Sequence, residues 1–203
     1  MLNWKRTSRS LRALSLASVT LVLAVTHVAD AARIYAKAWL APHLMARAYA
    51  AQQQSGKPSK PWPWADTYPV ARLEIPRLGV KRFVLQGDSG HAMAFGAGMA
   101  EGVRPGEPGL VMISGHRDTH FKFLEGIEND DAILLSYGTS QLTYRVITTV
   151  IADATDGYIP ALLPAQGLLL VTCFPFDALI PGGSKRYVIV AERLWSSEIA
   201  AAH

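Results

Sequence analysis

The sequence has very little cysteine and few charged residues. Cys173 is the only cysteine among 203 residues, so the chain cannot form an internal disulfide or a cysteine-rich zinc site. Charged residues make up 18% of the chain and hydrophobic residues 50%. This composition excludes a chain kept disordered by high charge and low hydrophobicity. The length suits one folded domain with one appendage.

Glycine is absent from the first 51 residues, which contain thirteen alanines and a single proline, Pro42. Fifteen of the 16 glycines follow residue 78. Alanine favours helix, whereas glycine marks turns between strands. The sequence therefore predicts a helical front part and a back part built of short strands and turns.

The positive charge is confined to the N-terminal tail. The other sixteen basic residues and the sixteen acidic residues cancel. The net charge of +4 therefore equals the charge of the four cations at the front of the chain, Lys5, Arg6, Arg9 and Arg12. A basic surface over a folded domain is the usual feature of a nucleic-acid-binding protein. No nucleic-acid partner is predicted here.

Residues 13–29 follow this tail and carry no formal charge. A helix needs about 20 apolar residues, within a range of about 17–25, to cross a bilayer. Residues 1–30 are therefore interpreted as a cytoplasmic tail and a single-pass signal anchor in the inner membrane. A cleavable signal peptide is the alternative, since Ala29 and Ala31 flank Asp30 in a small-x-small pattern. Both interpretations place the rest of the chain on the periplasmic side.

Residues 31–67 are predicted to connect this anchor to the folded domain. Residues 31–51 have the pattern of an amphipathic helix, either a stalk along the membrane surface or a helix packed on the domain and broken at Pro42. Residues 52–64 are polar and rich in proline, which indicates a linker. Trp62 and Trp64 suit either lipid headgroups or packing against the domain.

Residues 68–203 predict a mostly β domain. Two short helices are expected near residues 90–94 and 120–127. Seven strands are predicted from alternating or continuous apolar runs: 71–75, 81–85, 110–114, 132–136, 141–150, 167–172 and 186–191. Long helices do not alternate with these strands. The pattern favours an antiparallel barrel or sandwich over a parallel α/β sheet.

Three residues at predicted strand ends could form a thiol enzyme. Cys173 ends one strand, His116 follows another, and Arg186 begins the last. A thiol of pKa about 8.5 is little ionised at neutral pH, so a nucleophilic cysteine needs a base or cation nearby. An arginine could hold a substrate carbonyl or an oxyanion. The other interpretation of Cys173 is a small buried hydrophobic residue.

Two other kinds of site are not supported by the residues. His116 and His120 have the spacing of a zinc protease helix, but Arg117 stands where that chemistry needs glutamate, and Gly115 precedes the pair. Gly96 and Gly98 lack the third glycine of a nucleotide-binding loop. No metal and no cofactor is predicted.

These segments resemble the sortases. Residues 105–119, PGEPGLVMISGHRDT, look like the sortase histidine segment. Residues 169–173, LLVTC, resemble the TLxTC signature, with Leu169 in place of its first threonine. Arg186 stands where the sortase arginine stands. The resemblance covers about residues 68–193, and the N-terminal segment makes it most similar to the sortases of Gram-negative bacteria (the proteobacterial class).

The resemblance implies an eight-stranded β-barrel that carries a cysteine transpeptidase. Such an enzyme cleaves a C-terminal sorting signal, often LPxTG-like, through a thioester and passes the acyl group to an amine. Cys173 would be the nucleophile and His116 the acid and then the base. Arg186 would orient the substrate and stabilise the oxyanion, and Thr172 would help shape the oxyanion site, partly through its backbone.

The resemblance also suggests substrate-groove residues. Ile159, Leu162 and Leu163 are candidates for apolar contacts with the sorting signal, unless a short helix buries them in the core, and Phe174 is placed on the other side of the cleft. Some sortases use calcium, but no adequate cluster of oxygen ligands is found. Asp118 could orient His116 or Arg117, or remain a solvated charge. A periplasmic cysteine hydrolase or peptidase and a non-catalytic membrane-tethered β-domain remain the alternative functions.

Overall fold

The computed structural model describes residues 3–155, 163–178, 180 and 182–195, with side chains from residue 17 onward except at 34, 37, 38 and 91. The chain divides into two compact units, Met1–His43 and Leu44–His203. The elements are α1 Asn3–Ser55, β1 Pro69–Ile75, β2 Val80–Gln86, α2 Gly90–Met93, β3 Ala97–Met99, β4 Gly109–Ser114, the 3-10 helix η1 Lys122–Gly126, β5 Ala132–Tyr137, β6 Ser140–Asp153, β7 Gln166–Cys173 and β8 Lys185–Leu194.

The described residues of the first unit, 3–43, are helical and belong to α1. The alanine-rich, glycine-free sequence favours this helix, which continues through Pro42. Large apolar side chains are exposed along it, among them Val22, Val28 and Trp39. Among the residues described, no helix combines the length and the apolar character needed to cross a bilayer.

The second unit is built around a closed β-barrel with the strand order β1-β2-β3-β4-β7-β8-β6-β5. The prediction of a mostly β, eight-stranded barrel with two short helices is confirmed. The expectation of a purely antiparallel sheet was wrong in two places, because β2 pairs with β3 and β4 pairs with β7 in parallel. Periodicity identifies a strand but carries no information about the direction of its neighbour.

Strand alternation gives this barrel two apolar faces. The inner face forms the main core, in which Leu168 and Leu170 of β7 and Ile189 of β8 are fully buried. The intervening residues point outward, as successive strand residues must. There they form an outer apolar cluster with Leu169, Val188 and Val190 buried at its centre. Thus β7 and β8 are apolar on both faces, which explains why their sequences read as continuous apolar runs.

Residues 44–67 pack with the barrel. Met45 and Ala48 of α1 are buried, and the hydroxyl of Tyr49 donates to the Ser136 carbonyl at 3.2 Å. Trp62 is half-buried, with its ring edge-on to Phe95 at a centroid distance of 5.0 Å. Trp64, in contrast, is 82% exposed. The division between the compact units falls between His43 and Leu44, and the predicted start of the domain at residue 68 stays a prediction.

Candidate active site

The strand register brings the three predicted catalytic residues to one edge of the barrel. Cys173 is the last residue of β7 and pairs directly with Arg186 of β8. On its other side, β7 runs parallel to β4, with Val171 level with Ser114. His116 and Cys173 each lie two residues beyond this last pair. Neighbouring strands are about 4.8 Å apart, so the three residues lie on adjacent chain segments with cysteine in the middle.

The ladders also determine which face each side chain occupies. Thr172 is buried on the inner face, so Cys173 belongs to the outer face together with Val171 and Leu169. Arg186, directly opposite Cys173, shares this face. The outer apolar cluster thus continues along β7 up to the thiol. Cys173 is a free, half-buried cysteine, which is the exposure a nucleophile needs to meet a substrate.

Gly115 and Thr172 fix the position of His116. The Gly115 amide donates to the Val171 carbonyl at 3.1 Å, and the Thr172 hydroxyl donates to the Gly115 carbonyl at 2.7 Å. A Cβ at Gly115 would lie 2.8 Å from the buried ring of Phe121. The chain then turns, since the Phe121 amide donates to the His116 carbonyl at 3.0 Å. The hydroxyl of Thr172 therefore serves the backbone, and its predicted oxyanion contribution through the main chain stays a prediction.

Arg186 is held by the loop that precedes it. Its Nη1 donates to the carbonyls of Gly183 and Lys185 at 2.7 and 2.9 Å. Both bonds use Nη1, and no other hydrogen-bond partner of this guanidinium is found among the residues that the structure describes, so Nε and Nη2 can donate to a substrate carbonyl. At the start of β8, the carboxylate of Asp153 accepts from the Ser184 hydroxyl at 2.8 Å and from Thr155. Hydrogen bonds from Thr155 and then from Ser184 lower the pKa of Asp153 to about 2.

Arg117 is a residue of this site that the sequence did not identify. It is buried, although its neighbours His116 and Asp118 are exposed. Its guanidinium binds Asp118 at 2.7 Å and donates to two carbonyls of the loop that follows Cys173. Asp118 was predicted to orient His116 or Arg117, or to remain a solvated charge, and in the structure it binds Arg117. The hydrogen bonds from Arg117 lower the pKa of the Asp118 carboxyl. The adjacent pair Arg-Asp after a strand-end histidine was the available signal.

His120 lies near His116 but differs in environment. Burial lowers its pKa, and the charges of Arg82 and His116 act in the same direction, against a hydrogen bond with the backbone of Ala94. This lowered pKa favours the neutral form of the His120 imidazole. Within the described residues, no three histidine, cysteine, aspartate or glutamate side chains cluster as metal ligands.

The predicted groove residues are placed only in part. Ile159 and Leu162 lie outside the described residues, and Leu163 is 37% exposed. Phe174 is half-buried and stacks on Tyr187 of β8, at a centroid distance of 6.1 Å and an interplanar angle of 16°. Contacts of these four residues with a substrate remain predictions.

A cavity of about 600 Å³ lies elsewhere in the second unit. Its lining comes from the end of α1, the start of β1 and the ends of β2, β3 and β5, and includes Tyr68, Gln86, Met99 and Tyr137. The lining contains neither Cys173 nor either of its strand-edge neighbours. The candidate active site is therefore separate from this cavity.

Comparison with known proteins identifies the family. The family model described as "Sortase domain" matches residues 73–194. This chain belongs to the sortase family. The matched range runs from β1 to β8 and contains all three predicted catalytic residues of the sortase.

Individual relatives agree with this assignment. Sortase D of Bacillus subtilis (strain 168) is 34% identical over 126 residues, covering 60% of this chain and 62% of the relative. Sortase A from Corynebacterium diphtheriae is similar in structure, with a TM-score of 0.57, 23% identity and coverage of 65% and 63% of the two chains. A Clostridium perfringens sortase D5 transpeptidase has a TM-score of 0.53, 21% identity and coverage of 63% and 80%.

These relatives also set the extent of the likeness. The match spans less than two thirds of the length of the Bacillus sortase. The sortase resemblance and the barrel are confirmed. The narrower affiliation with Gram-negative sortases finds no support in these relatives and stays a prediction.

Proposed function

We propose that this sortase is a cysteine transpeptidase that cleaves a C-terminal sorting signal and transfers the acyl product to an amine. The observation that carries the proposal is the register at one barrel edge, where Cys173 lies between the segment of His116 and Arg186. A nucleophile with a base on one side and a cation on the other is the arrangement that acyl transfer requires.

In the acylation step, the Cys173 Sγ attacks the scissile carbonyl and forms a C–S bond. Arg186 stabilises the oxyanion through its available N–H groups. The tetrahedral intermediate collapses with breakage of the C–N bond, and His116 gives a proton to the leaving amine. In the second step His116 accepts a proton from the incoming amine, whose nitrogen forms the new amide as the C–S bond breaks. Cys173 is then again a thiolate and His116 is again protonated, which are the forms from which the cycle starts, so atoms and protons balance.

We expect the sorting signal to lie along the half-buried outer face of β4 and β7 next to Cys173, since the centre of the outer apolar cluster is buried. Met112 and Val171 of this cluster are only partly buried, and Val171 lies on the same face of β7 as Cys173. An extended peptide on this face would present its carbonyl to the thiol at the strand end. Apolar side chains of an LPxTG-like signal would find apolar neighbours there.

The test is ligation by the purified full chain. LPxTG-type peptides are incubated with the protein and a triglycine amine, and products and protein adducts are followed by mass spectrometry. We expect a ligated peptide and an acyl adduct on Cys173, both absent from Cys173→Ala. Hydrolysis without ligation would indicate a cysteine peptidase instead. No adduct with any peptide of the panel, or an adduct that survives Cys173→Ala, would contradict the proposal.

We further propose that the N-terminal segment tethers the enzyme to the inner membrane, with the catalytic domain on the periplasmic side. The uncharged run of residues 13–29 and the exposed apolar side chains of α1 support this. Membrane fractionation and protease accessibility of the barrel in spheroplasts are the measurements. Full-length protein in the soluble fraction, or a barrel protected from external protease, would contradict it.

A further inference from the structure

The loop that follows Cys173 is attached to both neighbouring strand ends. On the β8 side, the rings of Phe174 and Phe176 contact Tyr187 at centroid distances of 6.1 and 4.9 Å. The Phe174 amide also donates to the Lys185 carbonyl at 3.1 Å. These contacts connect the loop to the strand that carries Arg186.

On the β4 side, one side chain makes the attachment. Arg117 Nη1 donates to the Pro175 carbonyl at 2.6 Å, and its Nη2 donates to the Ala178 carbonyl at 2.9 Å. The Asp118 carboxylate accepts from Nε at 2.7 Å and from Nη2 at 3.0 Å, which fixes the plane of the guanidinium. The planar fork of arginine can serve these acceptors together, which the single ammonium of lysine cannot.

Burial of the Arg117 guanidinium requires partners that satisfy its charge. Arg117 is only 8% exposed, and a buried cation is unfavourable unless its partners satisfy it. The hydrogen bond with Asp118 is the main cause that raises the pKa of Arg117, and the charges of Asp118, Cys173 and Asp177 add to it. The guanidinium thus stays charged within electrostatic range of the thiol.

We propose that Arg117 is a positioning residue that sets the geometry between His116 and Cys173. It is covalently adjacent to His116, and it holds the two carbonyls of the loop that leaves Cys173. A change in its hydrogen bonds would let the histidine segment and the cysteine loop move apart. This inference rests on the proposed roles of the two residues in acyl transfer, and it adds a fourth side chain to the site.

The test compares Arg117→Lys with a matched control, Arg77→Lys. Arg77 also donates to one backbone carbonyl, that of Gly126 at 2.6 Å, and to one carboxylate, that of Asp131 at 2.7 Å. It lies in the turn between β1 and β2, outside the catalytic strand ends. Both variants keep the charge and lose the fork, so they separate a general loss of stability from an effect on the site.

Two readouts are measured for each variant of the full chain. The first is kcat and KM with a ligating peptide, and the second is the rate of Cys173 alkylation by iodoacetamide at pH 7. We expect Arg117→Lys to lower kcat about tenfold or more, because small misplacements of reacting groups reduce rates strongly, with KM changed less than about twofold. The alkylation rate should fall as well, whereas Arg77→Lys should change neither quantity.

Asp118→Asn is a second variant, and it is expected to fold because the Asp118 side chain is 70% exposed. It weakens the orientation of the guanidinium and should lower kcat in the same direction but by less. If Arg117→Lys keeps wild-type kcat and alkylation rate, or if Arg77→Lys lowers both equally, the positioning role is wrong. Alkylation requires no peptide, so the role can be tested even if the protein ligates none.

Discussion

Arg186 lies directly across from Cys173 in the β7–β8 ladder. Residues directly opposite in an antiparallel pair have Cβ atoms about 4.5–5.5 Å apart, so one cation faces the thiol on the outer face. Its Nη1 is bound to the Gly183 and Lys185 carbonyls. The remaining donors are fixed in one plane by this anchoring, which is the geometry that an oxyanion can use.

For this reason Arg186→Lys is expected to lower kcat about a hundredfold, the scale of losing an oxyanion donor. Lysine keeps the charge but cannot both bind the loop carbonyls and present further donors in the same plane. Steady-state kinetics with a ligating peptide measure the effect, and thermal unfolding serves as the control for folding. Wild-type kcat in this variant would make Arg186 a residue that only anchors the loop.

Gly115 gives a second prediction at this scale. A Cβ there would meet the ring of Phe121 at 2.8 Å, and Phe121 is fully buried. Gly115→Ala should therefore cost about 1–3 kcal/mol of unfolding free energy, as overpacking does, and should also reduce ligation because His116 follows directly. Gly90→Ala is the control, since its Cβ would meet no heavy atom within 4 Å. Equal stability of both variants in urea unfolding would contradict the packing argument.

At the scale of the elements, the sequence predicted the long strands well and the short one not at all. Continuous apolar runs identified β4 and β7 because both of their faces are covered. β3, Ala97–Met99, was missed since three residues with a central glycine show no period. Gly98 is needed there because a Cβ would lie 2.3 Å from the Gly87 carbonyl oxygen. That contact exists only after folding.

In the site, too, features encoded by neighbouring residues could be predicted, and features that depend on contacts far along the chain could not. The strand-end positions of Cys173, His116 and Arg186 could be predicted because each stands next to a strand that has its own pattern. Arg117 could not, because its importance depends on the carbonyls of Pro175 and Ala178, far along the chain. Its partners in the loop after Cys173 are backbone carbonyls, and backbone acceptors have no residue-type signal in a sequence.

Asp153 connects two elements at the edge of the site and makes stability depend on pH. Its pKa in the folded protein is about 2, lowered by hydrogen bonds from Thr155 and Ser184, whereas an aspartate in an unfolded chain has a pKa of about 3.9. A lowered folded pKa stabilises the fold above the unfolded value, and this contribution disappears as the pH falls through the folded value.

The difference in melting temperature between wild type and Asp153→Asn should therefore be largest at pH 6. It should shrink as the pH falls from about 4 toward about 2, since both proteins are then uncharged at this position. Thermal unfolding followed by circular dichroism at pH 6, 4 and 3 measures it. A difference that stays constant across these pH values would show that the Asp153 charge does not stabilise the connection.

At the scale of the whole molecule, the compact unit that contains the barrel begins at Leu44, and the domain start predicted at residue 68 stays a prediction. The predicted connecting segment 31–67 contributes Pro61, Ala65 and Thr67 to the buried residues, and Trp62 is half-buried. Composition marked these residues as a linker because they are polar and rich in proline. Their apolar members nevertheless pack against the barrel, which the average composition of the segment does not reveal.

Two truncations test where the folded unit begins. A chain that starts at Leu44 should keep the melting temperature and ligation rate of the full chain, because the packed residues of α1, such as Met45 and Ala48, are retained. A chain that starts at Tyr68 loses the buried Met45 and Ala48 and the half-buried Trp62, and full burial of one large side chain contributes about 1.5–3 kcal/mol. Its melting temperature should fall on the order of 10 °C, given about 2–4 °C per kcal/mol for a domain of this size. Equal melting temperatures for both truncations would show that residues 44–67 do not stabilise the barrel. That result would support the domain start predicted at residue 68.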